Sequence, residues 1–133
     1  MSEFNLVIKN ARITDTTITD IGINNGRIEK IGKLKNENKN IDANKHYVLS
    51  GFVNSHSHLD KSNLLDKMTE DHLGKSLEEN RILLKKLKSS YSKSDIEKRA
   101  TNTIERMLSK GITAIRTQVD VDPTAGIIPI KSL

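Results

Sequence analysis

The apolar positions fall into two textures that change near residue 50. Over residues 3–13 the run Glu-Phe-Asn-Leu-Val-Ile-Lys-Asn-Ala-Arg-Ile is rich in β-branched and aromatic residues, and its broken alternation predicts a strand. Ile18, Ile21 and Ile23, then Asn24-Asn25-Gly26, then Ile28 and Ile31, predict a β-hairpin over 17–33, because Asn-Gly supplies the positive φ values of a tight turn. Lys35 to Lys39 reads as a polar loop, and a further short strand is expected from Tyr47 to Leu49. Residues 1–50 are therefore expected to form a small β unit of three or four strands.

From residue 51 the period changes. Gly51-Phe52-Val53-Asn54-Ser55-His56-Ser57-His58-Leu59-Asp60-Lys61 begins as an apolar strand and ends in ionisable residues. Leu77, Leu84 and Leu87, with Leu83 beside them, predict a helix over 74–89. Ser94-Asp95-Ile96-Glu97 is a capping-box sequence opening a second helix, on which Ile96, Ala100, Ile104, Met107 and Leu108 recur at helical spacing before Gly111. Residues 112–120 then read as a strand. Strand, helices and strand make a βαβ crossover, so the two strands are expected to be parallel. Parallel sheets bury both faces, which two strands cannot achieve. Together with Asp122-Pro123 and Pro129, which signal a loop and a helix start, this leads to the expectation that residues 51–133 begin a larger α/β domain and that the chain is truncated.

Composition narrows the function. In 133 residues there are two Phe, two Tyr and no Trp, so Ile, Leu and Val must build the core. The lack of cysteine excludes disulfides, iron–sulfur clusters, thiolate zinc sites and the zinc deaminases built on Pro-Cys-x-x-Cys. The net charge of +5 raises the question of an anionic partner. Lysines 85, 86, 88, 93 and 98 are nevertheless interspersed with Glu78, Glu79, Asp95, Glu97 and Glu105, the pattern of a solvated helix face. No nucleic-acid partner is expected. No signal sequence and no membrane-spanning apolar run are visible, which points to the cytoplasm.

Candidate chemistry gathers at the end of the first post-50 strand. On a strand rising roughly 3.3 Å per residue, His56 and His58 share a face with Cα atoms about 6 to 7 Å apart, a workable reach for two imidazoles on one metal ion. Alone, such a pair is commonly polar filler. Asp60 has the same parity and is expected either to contact substrate or to pair with Lys61. Gln118 is a candidate substrate contact on the second strand, while Arg116 and Asp120 are expected to be structural. His46 and His72 read as surface residues. Neither a His-Glu-x-x-His helix nor a glycine-rich phosphate loop is present.

Val48-Leu49-Ser50-Gly51-Phe52-Val53-Asn54-Ser55-His56-Ser57-His58 resembles the opening of the amidohydrolase superfamily of metal-dependent hydrolases. The continuation Leu59-Asp60-Lys61-Ser62, with Lys110 to Asp122, resembles its cytosine deaminase-like branch. The resemblance implies a (β/α)8 TIM-type barrel with first strand 51–59 and second strand 112–120, and a small β-sandwich-like domain of which residues 1–50 are part. It implies that His56 and His58 bind a divalent ion, zinc or iron. It also implies that the other ligands and proton-handling residues come from later strands, so no catalytic residue is expected within these residues.

Asn54 and Lys61 depart from the Asp-x-His-x-His-x-Arg variant of the cyclic-amide hydrolases, which favours the deaminase side. Gln118 stands where cytosine deaminases often carry histidine, which points away from cytosine itself. The expected activity is hydrolysis of a non-peptide C–N bond of a small nitrogen heterocycle. The 133 residues alone are expected to be inactive, and homo-oligomerisation is compatible with the pattern. The alternative is a non-catalytic remnant or self-associating interaction module.

Overall fold

The computed structural model describes residues 3–35, 39–70 and 73–133, and the chain divides into two compact units, one ending at Ser50 and one beginning at Gly51. The first unit is a four-stranded sheet. Its strands are β1 (Leu6–Arg12), β2 (Ile18–Asn24), β3 (Arg27–Gly32) and β4 (Asn40–Asp42), in spatial order β3-β2-β1-β4. β1 and β3 flank β2 antiparallel, and β4 lies parallel to β1. Asn25 and Gly26 turn β2 into β3 with φ of 49° and 74°, the two positive values of a type I′ turn.

The broken alternation of β1 is a β-bulge between Ile8 and Ala11, where Asn10 takes φ 53°. The bulge is held from β2. Asp20 accepts from the Asn10 N–H at 3.0 Å, the Leu34 N–H at 3.0 Å and the Lys9 ammonium at 2.7 Å. These bonds hold the Asp20 carboxyl below its usual range even though burial pushes the other way. Phe4, Val7, Ala11 and Ile21 are buried around it.

The strand expected over Tyr47 to Leu49 is reduced to a single bridge from Tyr47 to Arg12, and the fourth strand lies earlier, at β4. Positive φ at Asn44 (48°) and Lys45 (63°) turns the chain after β4. Asn40-Ile41-Asp42 carries one apolar residue and so no alternation; the free edge of β1 makes it a strand.

The second unit runs β5 (Phe52–Ser57), α1 (Leu77–Lys88), α2 (Lys93–Leu108), β6 (Ile112–Thr117) and the short α3 (Ile128–Lys131). β5 and β6 are parallel, as the crossover pattern predicts. They stop two and three residues short of the expected ends, because a 3-10 turn at Leu59–Lys61 takes over from β5 and its Leu59 N–H bonds the Thr117 hydroxyl at 3.1 Å. α1 carries its own capping box, Ser76 with Glu79. α2 begins at Ser92 and not Ser94: the Ser92 hydroxyl accepts from the Asp95 N–H at 3.2 Å, which leaves the Asp95 carboxylate free to pair with Arg99 one turn on.

Leu64, Tyr91, Ile96 and Ala125 form the core of this unit, with Leu84 packed on it. Leu77, which helped to mark one face of the first predicted helix, is exposed, as are Ile104 and Leu108 of the second. No position of β5 or β6 is buried, and Phe52 and Val53 remain 58% and 69% exposed. His72 lies outside the described residues.

Candidate metal and substrate site

The ionisable residues collect where β5 ends. The strand starts against β6 at close quarters: a Cβ on Gly51 would run into the Thr113 side chain, so only glycine lets the chains approach there. Five residues on, the His56 N–H donates to Asn54 Oδ1 at 3.1 Å, and His58 sits one position past the last strand residue. The two rings are 5.3 Å apart between centroids and inclined at 64°. Imidazoles sharing a tetrahedral ion, each nitrogen about 2 Å from it, have centroids about 5 Å apart, so the pair fits a common divalent ion. The Gln118 N–H donates to the Ser57 carbonyl at 2.7 Å, which joins the half-buried Gln118 to the residue between the two histidines.

Asp60 is fully buried inside the 3-10 turn, not at the rim of a strand. Its Oδ2 accepts from the Asp120 N–H at 3.1 Å. Its Oδ1 lies 3.8 Å from His58 Nδ1, and both of these buried atoms lack a hydrogen-bond partner among the described residues. The Asp60–Lys61 pair, one of the two alternatives for Asp60, does not form; Lys61 reaches Asp120 at 2.9 Å. His58, Asp60 and Asp120 each offer a ligand atom within 4.8 Å of the others, so this cluster too has the donor set of a metal site.

Asp120, expected to be structural, is the hub of the rim. Its Oδ2 takes ammonium groups from Lys88 at 2.8 Å and Lys61 at 2.9 Å, and these bonds, Lys88's foremost, hold its carboxyl below the usual range against the effect of burial. Lys88 also pairs with Asp122, whose carboxyl is lowered to about 2 by that bond and by the N–H groups of Ala125 and Thr124. Burial alone would lower the Lys88 ammonium, but the two aspartates outweigh it and raise it. Lys61, Lys88, Asp120 and Asp122 wall a cleft of about 550 Å³, within the ~300–1,000 Å³ range of small-molecule sites. A larger hollow of about 800 Å³ is lined by Asn63, Lys67, Asp95 and Arg99 and by neither histidine.

Beneath the turn lies Arg99, 6% exposed. Its Nη1 donates to the carbonyls of Asp60 (3.0 Å) and Ser62 (2.7 Å), its Nε donates to Asp95 (3.1 Å), and its guanidinium stacks 5.1 Å from the Tyr91 ring centroid. Sequence reading missed Arg99 and Lys88. A signal existed for Arg99, since it interrupts the apolar stripe of α2 between Ile96 and Ala100, where a charge is buried only if paired. His46 is exposed as expected, its ring on the Ala43 carbonyl. No helix among the described residues is long and apolar enough to cross a membrane.

No protein-family model matches the chain. It is 42% identical over 66 residues to N-isopropylammelide isopropyl amidohydrolase of Pseudomonas sp., an alignment spanning 45% of this chain and 16% of that protein. Among solved structures, N-isopropylammelide isopropylaminohydrolase from Burkholderia multivorans superposes with a TM-score of 0.77 at 28% identity, over 96% of this chain and 32% of that one. The 5-methylcytosine deaminase from Klebsiella pneumoniae with 5-fluorocytosine superposes with a TM-score of 0.79 at 26% identity, over 95% of this chain and 31% of that one. The chain thus spans about a third of the length of these solved relatives.

Proposed function

From a chain that resembles the amidohydrolases over nearly its whole length, we propose that His56 and His58 are two ligands of a divalent ion, zinc or iron. The site would serve a hydrolase that cleaves a C–N bond of a nitrogen heterocycle. The observation that carries this is the pair of rings 5.3 Å apart at the C-terminal end of a parallel strand. In (β/α)8 barrels that end is where sites are built, and we take β5 and β6 as the first two strands of such a barrel, with the preceding sheet as part of a small β domain.

A divalent ion held there supplies an activated water at neutral pH. The residues of this chain do the rest of what is assigned to them. His56 and His58 hold the ion. Gln118, bonded to Ser57 just after β6, offers an amide that hydrogen-bonds a heterocycle without titrating. Asp60 was expected on the substrate side; with its carboxylate fully buried it reaches that side only through His58 or the Asp120 backbone. The relatives act, by their names, on isopropylammelide and 5-methylcytosine, and the proposed substrate is an amino-substituted heterocycle of that size.

Metal content after loading with zinc or ferrous iron tests the reading. The chain carries only these two of the ligands, so the wild type is expected to take up the ion weakly in equilibrium dialysis and His56→Ala/His58→Ala not to take it up; equal uptake by both would overturn the reading. The 133 residues by themselves are expected to release no ammonia or amine from such heterocycles. A second reading, a self-associating module without catalysis, draws on the exposed Phe52 and Val53 of β5. Sedimentation of the isolated chain distinguishes it, since that reading requires a dimer or larger.

A further inference from the structure

The cluster of His58, Asp60 and Asp120 can be read in two ways, and the charges around it choose between them. As a direct metal site it would set a divalent cation beside two ammonium groups, those of Lys61 and Lys88, both already bonded to Asp120. Asp120 is already paired with both ammonium groups, so only the Asp60 carboxylate would be left to offset that like-charge repulsion. The remaining atoms make a different device. Asp60 is held on two sides, by the Asp120 N–H on Oδ2 and by Arg99 on its own carbonyl. That leaves Oδ1 buried without a donor, 3.8 Å from His58 Nδ1, which is buried without a partner as well.

Each of these atoms is costly to leave unpaired, and a carboxylate oxygen can only accept. We propose that Asp60 is a positioning residue that fixes the tautomer of His58: Nδ1 carries the hydrogen and donates it to Asp60 Oδ1, so that the lone pair on Nε2 faces away from the turn as a ligand. The separation is about 1 Å longer than a hydrogen bond, a gap that a small rotation of the ring closes. Carboxylates behind metal-binding imidazoles act this way in general. The consequence for metal binding rests on the reading of His58 as a ligand, but the tautomer does not.

The experiment is imidazole nitrogen NMR on the 15N-labelled, metal-free chain under conditions where the ring is neutral. Wild type is expected to show His58 protonated on Nδ1. In Asp60→Asn the single remaining oxygen is taken by the Asp120 N–H and the amide N–H faces the ring, so the His58 proton is expected to move to Nε2. Asp60→Ala should leave a mixture. Nε2 protonation in wild type, or an unchanged tautomer in both variants, overturns the proposal. The wild-type spectrum decides even if a variant fails to fold. Zinc titration of the same samples then separates the two ideas. A loss of roughly 10- to 100-fold in affinity for Asp60→Asn is expected. An Nδ1-protonated His58 in a chain that binds no zinc at all would sink the metal reading while leaving the tautomer assignment standing.

Discussion

Asp20 in the first unit and Asp60 in the second are both buried aspartates beside a backbone irregularity, and they are used in opposite ways. Asp20 is saturated: the Asn10 N–H occupies Oδ1, while the Leu34 N–H and the Lys9 ammonium share Oδ2. Asp60 has one oxygen occupied and one turned to a histidine that it does not yet touch. A saturated carboxylate is architecture, since any movement breaks bonds. One kept half-open inside a fixed frame is stored capacity, at the cost of a buried group without a partner.

The sharpest way to break this comparison is to remove each carboxylate. Asp20→Ala orphans two N–H groups and takes the carboxylate from the Lys9 ammonium, which keeps only the Leu34 carbonyl at 2.7 Å, and should destabilise the first unit by about 3 kcal/mol. Asp60→Ala frees one N–H and should cost about 1–2 kcal/mol. Urea unfolding with amide exchange at β1, β2 and β6 measures both, and a larger loss for Asp60→Ala would reverse the assignment of roles. Arg99→Lys comes next. It loses the fork that spans the Asp60 and Ser62 carbonyls and keeps the charge, so about 1–2 kcal/mol is expected, localised by exchange at the 59–62 turn.

The pH dependence follows from the depressed Asp20 carboxyl. Its folded pKa lies below the unfolded value, so its contribution is present above the unfolded value and is lost as pH falls through the folded one. Acid titration of the β1 and β2 amides should show that loss, and Asp20→Asn should flatten it. The smallest effect is expected at the hairpin: Asn25→Ala puts a Cβ-bearing residue with no local hydrogen-bonding side chain at φ 49°, costing about 1 kcal/mol by thermal melting.

Local chemistry made some of this legible in sequence. The Asn25-Gly26 turn, the hairpin and the parallel pairing of β5 with β6 need only residue type and period. The corrections come from elements that depend on distant partners. β4 exists because β1 has a free edge, and Asp95 stays out of the cap of α2 because its carboxylate pairs with Lys67, 28 residues away, and with the Arg99 that holds the 59–62 turn. The same is true of the site. His56 and His58 announce themselves by spacing, whereas the role of Asp120 depends on Lys88, 32 residues away, and on Lys61, 59 residues away. No window of sequence relates them.

Lys88 joins the end of α1 to the loop after β6 through Asp120 and Asp122, with 11% of its side chain exposed and its ammonium held protonated. An amine in that state is a poor nucleophile, so acylating reagents should mark neighbouring Lys85 and Lys86 quickly and Lys88 slowly. The slow mass increment at Lys88 would then time how often the helix lets go of the loop, a clock for the opening of the cleft that is already wired into the chain.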